Sequence, residues 1–557
     1  MNNAQIADNF SLLAKIMEIH GENSFKTKSY STASYTIEKL PAELSTLPEE
    51  KIFSIKGIGE AIGKKILVQL QTGQLPQLNE YIAQTPPGII EMMTIKGLGP
   101  KKIATIWKDL EIETIGELLY ACNENRLLLY KGFGAKTQQN IKESIEFFLN
   151  NQGNYLYAQV EAYAQQFTQQ LQQTFENFQL AITGDFRRQA EIINKIEWVT
   201  TIPVASLQTF LVSHGLQLTA ETTTYHEYKG PENIALQFYH VQPEAFYSKL
   251  FSTSSSDVFL QCFEEKYGPV KVSYASEEEV FSTAGLSFIP AYLRETERFL
   301  SSAAAHTLPA VIQPEDITGI IHSHSKWSDG ANTIGEMATA AKEKGLQYLV
   351  ISDHSKSAFY ANGLYEERVF AQHGEVEALN AQLAPFRIFK SIESDILNDG
   401  SLDYSEEVLQ SFDLVIASVH SNLKMSEEKA MARLLRAIEN PYTNILGHMT
   451  GRLLLSRNGY PVDHKKIIEA CAANEVVIEL NAHPRRLDMD WRWIDYALEK
   501  NVLISINPDA HAIAGFNDTK YGVLAAQKAG LTREQNLSSF SLEAFEKFLV
   551  AQHGKRS

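Results

Sequence analysis

The segment Ile321-His322-Ser323-His324-Ser325-Lys326-Trp327-Ser328-Asp329-Gly330 sets two imidazoles one residue apart and a carboxylate shortly after them. On an extended strand, residues i and i+2 face the same way. His322 and His324 can therefore converge on one point, and Gly330 suits a sharp turn that returns Asp329 to them. Nitrogen and oxygen donors gathered in this way form a divalent-metal set. The competing reading is a His- and Ser-rich surface loop, and the rest of the chain decides between the two.

Past residue 316, short apolar runs alternate with helical patterns, as in βα units. The runs are Ile317–His324, Leu346–His354, Phe386–Asp395, Asp413–His420, Thr443–His448, Val476–Asn481 and Val502–His511, with helical patterns such as Ile334–Lys344, Ser426–Ile438 and His464–Ala473 between them. Seven parallel strands with outer helices predict a barrel, in which function collects at the C-terminal strand ends. Six of the seven runs end in ligand-type residues: His322 and His324, Asp353-His354, Glu393, His420, His448, and Asp509-Ala510-His511. A core histidine explains any one of these, but not six.

Here the chain closely resembles the PHP (polymerase and histidinol phosphatase) family, over 317–557. The first family motif matches His322, His324 and Asp329, the second His354 and the third Glu393; His420, His448, Asp509 and His511 fill the rest. Ile320 and Ile321 stand where an acidic residue often precedes the first histidine, which bears on ligand orientation but removes no ligand. The resemblance implies a distorted (β/α)7 barrel holding up to three divalent ions, with Glu393 bridging two. Imidazole with carboxylate suits Mn, Zn or Fe better than Mg alone. Such ions activate water and neutralise phosphoryl oxygens during in-line attack. Arg452, Arg457 and Arg485 fall in motif-dense loops, where they can hold substrate phosphate or act as surface ion-pair partners; Asn481 ends its strand without a ligand and can bond substrate or a bound water.

The elements that deliver substrate lie earlier. Ile55-Lys56-Gly57-Ile58-Gly59 recurs as Ile95-Lys96-Gly97-Leu98-Gly99 and as Tyr130-Lys131-Gly132-Phe133-Gly134, each copy followed by a helical pattern. Glycines permit a tight turn and close backbone approach. Amides opening the next helix, with Lys64, Lys65, Lys101, Lys102 and Lys136 nearby, then face an anion. Such a unit grips a phosphate backbone without reading bases. A dinucleotide loop fits poorly, because Gly57, Gly59 and Gly63 miss the G-x-G-x-x-G spacing and helical sequence precedes them. The repeats resemble helix-hairpin-helix motifs of DNA repair proteins, and Asn23 to Tyr30 resembles the opening of family X DNA polymerases. Lys65 matches the position at which some relatives form a Schiff base with abasic sugar; a phosphate contact is the simpler role.

Leu180 to Arg188 resembles the strand-turn of the family X palm, where Gly-Ser-x-Arg-Arg cradles the triphosphate. Gly184 and Arg188 are kept, but Asp185 replaces the serine. Of the three expected carboxylates, Lys195 stands at the first position, Glu197 at the second, and Gln237 or a neighbour in Asn233–Val241 at the third. Two-metal nucleotidyl transfer needs carboxylates, so the resemblance implies a palm that has lost its chemistry. Residues 281–295 resemble the end of the thumb.

The expected organisation is multidomain: a helical region with the first hairpin (1–85), a fingers-like hairpin region (86–150), an α+β palm (151–245), a thumb (246–300), a linker (301–316) and the PHP domain (317–557). Residues 1–150 carry 16 Lys+Arg against 17 Asp+Glu, so nearly all of the net charge of −17 lies in the later part, where metal ions would sit. No signal peptide or membrane-length apolar run is evident. The well-separated Cys122, Cys262 and Cys471 fit a reducing, cytoplasmic, nucleoid-associated setting. The expected function is a DNA-repair-type, metal-dependent phosphoesterase, a 3′–5′ exonuclease or 3′-end trimmer, acting as a monomer on gapped or 3′-ended duplex and on no membrane. The alternatives are a gap-filling polymerase with PHP proofreading, a small-molecule phosphatase, and a non-catalytic DNA-binding scaffold.

Overall fold

The structure, a computed structural model, describes every residue except Lys39, Pro41, Ala42, Lys96, Asn151, Gln152 and Ser557, so Lys96 of the second repeat lies outside the described residues. The chain divides into two compact units, Met1–Phe148 and Leu149–Ser557.

The first unit is helical. Helices Asn3–Ile19 and Ser24–Glu38 bury Ile6, Phe10, Leu13 and Met17 against Tyr30, Ala33 and Ile37. Each glycine repeat opens a helix: Glu60–Thr72, Pro100–Lys108 and Ala135–Asn150. The first glycine of each repeat has a left-handed backbone (Gly57 φ +94°, Gly97 φ +91°, Gly132 φ +97°), a conformation that strains other residues. Gly59 and Gly99 then cap their helices with no side-chain acceptor, which leaves first-turn amides for an outside partner.

In the second unit, a palm sheet is built from β1 (Leu180–Thr183), β2 (Lys195–Thr200), β3 (Gln217–Glu221), β4 (Tyr225–Lys229) and β5 (Ala235–His240), in the spatial order β1-β2-β5-β4-β3. The central pair, β2 and β5, is parallel and sets Lys195 opposite Ala235 and Glu197 opposite Gln237. Helices after the sheet pack around Phe251, Phe259, Phe263 and Phe281. There the fully buried Arg294 donates to Glu277 Oε1 (2.7 Å) and to the Ile289 carbonyl, while Arg187 grips the same carboxylate at 2.9 and 2.5 Å.

Seven short parallel strands follow: β6 (Gly319–Ile320), β7 (Tyr348–Ile351), β8 (Arg387–Asp395), β9 (Leu414–Ser418), β10 (Ile445–Leu446), β11 (Val477–Asn481) and β12 (Ile504–Asn507). They stand side by side in chain order and form a nearly closed barrel, each strand inside one of the seven expected runs. Most strand residues are buried on both faces, which is why the runs read as continuous apolar stretches rather than alternating ones. Outer helices begin on side-chain caps: Thr333 with Glu336 for Ile334–Glu343, Ser426 for Glu427–Ile438, and Asp463 for His464–Asn474. Between first and last strands, Ser323 bridges Ala510 in parallel register, and the His324 amide donates to the Ala510 carbonyl at 2.9 Å.

The segment expected as a linker is ordered and packed. It is helical to Ala304, and Ile312 is fully buried in the barrel core with its amide 2.8 Å from the Leu531 carbonyl. Further ties join the palm and thumb side to the barrel: Lys520 to Glu161 (2.5 Å), Lys528 to Glu295 (3.3 Å) and Arg298 to the Ala529 carbonyl (2.8 Å). Among the described residues, no helix is long and apolar enough to cross a membrane.

Candidate metal centre

All nine expected donors gather at the C-terminal mouth of the barrel strands. Glu393 is the hub. Its Oε1 lies 3.3 Å from His322 Nε2, 3.0 Å from His420 Nε2 and 2.9 Å from His448 Nε2, and its Oε2 lies 2.9 Å from His354 Nδ1. His324 Nε2 approaches Asp509 Oδ1 at 3.0 Å, and Asp329 sits 3.6 Å from His354 and 3.4 Å from His511. Three groups of these atoms are close enough to share an ion: His324, Asp329, His354 and His511; His322, His324 and Asp509; and His354, Glu393 and His420. The ninth donor, His448, joins through Glu393.

Burial makes this arrangement informative. His322, His324, His354, Glu393 and His448 are essentially inaccessible, yet His322 Nε2, His324 Nδ1, both nitrogens of His354, His448 Nδ1 and Glu393 Oε2 make no hydrogen bond. Orphaned buried polar atoms are costly. So many within one cluster of side chains fit divalent cations, which N and O donors of this kind hold.

The strand argument for His322 and His324 does not survive as stated. β6 ends at Ile320, and His322 takes a left-handed conformation (φ +64°). The rings converge, with centroids 5.3 Å apart, because the backbone turns there, not because an extended strand aligns them. Asp509 shows the same device at the last strand (φ +51°). Gly330 closes the expected turn: its amide donates to the Ser325 carbonyl at 2.9 Å, and a Cβ on it would lie 2.2 Å from the His324 carbonyl oxygen, so glycine permits the loop to close on the histidine's backbone.

Orientation comes from residues outside the expected set. Glu479 Oε2 holds His322 Nδ1 at 2.6 Å, filling the role left open by Ile320 and Ile321, and Asp395 holds His420 Nδ1. Asp353 accepts the Ser325 amide (2.8 Å) and hydroxyl (2.6 Å) and the Gln372 side chain (2.6 Å), which fixes the loop between His324 and Asp329. The signal for Glu479 was present in the sequence: a lone carboxylate inside the apolar run Val476–Asn481. Charges follow this geometry. Burial opposes a cation at His322, but Glu479, Asp509 and Glu393 raise its pKa well above the ordinary value; burial likewise opposes His420, which Glu393 and Asp395 lift to about 10. Burial, with His511 and His354 alongside, lowers His324 to about 3. Burial works against ionised Glu393 and Asp509, yet facing imidazoles hold both far below the carboxylate range.

The four residues expected to hold substrate are engaged by the protein. Arg452 donates to Asp490 (2.6 Å) and to the Arg486 carbonyl, with Glu191 of the palm side at 3.8 Å. Arg457 donates to the Gly451 carbonyl, and Arg485 is buried. Asn481 donates to Asp509 Oδ2 (3.0 Å) and Glu479 Oε1 (3.2 Å) and accepts the His483 amide, so it positions a ligand carboxylate instead of reaching outward.

In the palm, the Lys195 ammonium sits between Glu197 Oε1 (2.9 Å) and Gln237 Oε1 (3.0 Å), and Tyr239 donates to the same Glu197 oxygen at 2.9 Å. Gly184 (φ +67°) presses against Glu197; any Cβ there would collide with its carboxylate. Arg188 is paired with Asp185 and with Glu295 (3.2 Å). In the hairpins, Gly57, Gly59, Gly97, Gly99, Gly132, Gly134, Lys64, Lys101 and Lys136 are exposed, with Lys65 and Lys102 half-buried. Lys64 pairs with Glu60, and Lys102 Nζ caps the Gly97 carbonyl at 3.1 Å.

Comparison with known proteins matches three stretches of the chain. Residues 1–75 match a helix-hairpin-helix domain, 89–146 a SAM-like helix-hairpin-helix tandem, and 321–483 the PHP domain. A DNA polymerase/3′-5′ exonuclease PolX of Bacillus subtilis (strain 168) is 30% identical, covering 96% of this chain and 97% of its own. A "Probable phosphatase" of Thermoanaerobacter sp. (strain X514) is 28% identical over 39% of this chain and 89% of its own. On that likeness along nearly its whole length, with the barrel and hairpins in their places, the chain belongs to the bacterial family X DNA polymerases that carry a C-terminal PHP domain.

Proposed function

We propose that this chain processes DNA ends: its PHP centre hydrolyses phosphodiesters at 3′ termini, as a 3′–5′ exonuclease or end trimmer, while its palm no longer transfers nucleotides. The hydrolase half rests on the Glu393 hub and the unsatisfied imidazoles around it. The palm half rests on Lys195, whose ammonium occupies the space between Glu197 and Gln237 where a cation would be needed.

His322, His324, Asp329, His354, Glu393, His420, His448, Asp509 and His511 would hold up to three ions, of the Mn, Zn or Fe kind. Bound there, such ions supply an activated water and neutralise charge on the phosphoryl oxygens. The chain's own side chains do the positioning. Glu479 keeps the His322 proton on Nδ1, so that Nε2 offers its lone pair to the site; Asp395 does the same for His420. Asn481 fixes Asp509, and burial keeps bulk water from the donors. The hairpin glycines and lysines grip the phosphate backbone of gapped or 3′-ended duplex, and the chain acts as a monomer.

The test uses full-length protein with end-labelled gapped DNA and Mn²⁺, with and without dNTPs. The expected result is shortening from the 3′ end, no extension, and loss of shortening in His322→Ala/His324→Ala. Unchanged digestion by that variant would falsify the hydrolase half, and primer extension would overturn the palm half. The relative named a probable phosphatase, matched over 89% of its own length by 39% of this chain, favours a second reading, a monoesterase. Phosphate release from a nucleoside monophosphate without digestion of DNA identifies it.

A further inference from the structure

The loop after His354 is tightly built but carries its large apolar side chains outward. It closes on itself: Ser355 bridges Leu364, and the Leu364 amide donates to the His354 carbonyl at 2.9 Å. Gly363 allows this closure, since a Cβ there would lie 2.0 Å from the Ser355 oxygen. The loop is also tied to the neighbouring ligand segment. Asn362 Nδ2 donates to the Trp327 carbonyl (3.2 Å) and the Ser328 carbonyl (3.4 Å), just before Asp329, and Arg368 donates to the Trp327 carbonyl as well.

On this braced frame Phe359 is 74% exposed, Tyr365 58% and Phe370 51%. Among the described residues of the PHP domain, the only other large apolar side chain as exposed is Val550. Exposed apolar side chains scattered singly need no explanation, but three aromatics within twelve residues, on the loop and helix start that follow the candidate ligand His354, suit a contact surface. Aromatic faces next to a centre that cuts a sugar-phosphate chain suit nucleobases, which stack on such rings whatever their sequence. A base stacks only when unpaired.

Resting on the end-processing reading above, we infer that Phe359 and Tyr365 form a stacking platform for the unpaired terminal bases of a DNA 3′ end, with Phe370 extending it. The platform holds an unpaired 3′ terminus by its bases while the barrel mouth takes the phosphodiester.

Binding tests this apart from cleavage. Full-length protein with Mn²⁺ is titrated with a fluorescent duplex bearing a short phosphorothioate 3′ overhang, and with the same duplex whose overhang lacks bases. The wild-type protein is expected to prefer the base-bearing overhang by ~10-fold. Phe359→Ala/Tyr365→Ala should lose that preference, Phe359→Trp should keep it, and Val550→Ala, an exposed change elsewhere, should not alter it. No preference in the wild type, or a preference that survives in the double variant, overturns the platform. Absence of 3′ shortening in the cleavage assay instead overturns the end-processing reading.

Discussion

Glu479 Oε2 lies 2.6 Å from His322 Nδ1, while the other oxygen of the same carboxylate accepts the His448 amide at 3.0 Å. One carboxylate on β11 thus holds the ring of His322 after β6 and the backbone of His448 after β10. Glu479→Gln is expected to lower metal affinity about 10–100-fold, as loss of such partners does elsewhere. Calorimetric titration of metal-stripped protein with Mn²⁺ measures it, and unchanged affinity would show that His322 needs no partner.

Metal uptake should release protons. Despite burial, neighbouring carboxylates hold His322 well above the usual imidazole range and His420 at about 10, so in the metal-free protein both carry protons that a cation must displace. Apparent affinity therefore rises as pH rises through neutrality toward about 10, and falls toward acid. Calorimetry in two buffers of different ionisation enthalpy counts the released protons. Identical heats in both would contradict the assignment.

Lys195→Ala removes the ammonium that lies 2.9 Å from Glu197, a carboxylate only 6% exposed. Because Lys195 is itself about a third exposed, the expected cost is modest, about 1 kcal/mol in urea unfolding. Digestion of 3′ ends should be unaffected. A fall in digestion matching that of the histidine variants would tie the palm to hydrolysis directly.

Glu277 serves two arginines, Arg187 from the palm turn and the wholly buried Arg294. Breaking a buried pair strands a charge, so Glu277→Gln should cost about 3–5 kcal/mol. Chemical denaturation reads this. A loss below about 1 kcal/mol would mean that the carbonyl contact of Arg294 suffices.

The sequence revealed most where structure is periodic. Buried parallel strands must be apolar on both faces, so the seven runs marked the barrel, and the residues ending them marked its mouth. Hairpins were legible because Gly57, Gly97 and Gly132 need a left-handed backbone. Partner choice was not legible. Arg452 stands in a motif-dense loop, and only the fold shows that Asp490, far along the chain, takes its charge. Asn481 turns inward for the same reason, because Asp509 comes from another strand. Likewise, spacing alone suggested an extended His-x-His, whereas His322 turns through a left-handed conformation that no sequence periodicity encodes.

The backbone join between Ser323 and Ala510 lies where the first and last strands meet, and the residues flanking it are candidate ligands: His322 and His324 on one side, Asp509 and His511 on the other. Cations held there would work as the clasp of the barrel. Filling the mouth and fastening the ring then become a single event, so stripping the metal should loosen this seam before any other part of the barrel. Hydrogen exchange at the His324 and Ala510 amides would quicken first, and the enzyme's readiness to react and its mechanical integrity would be lost together.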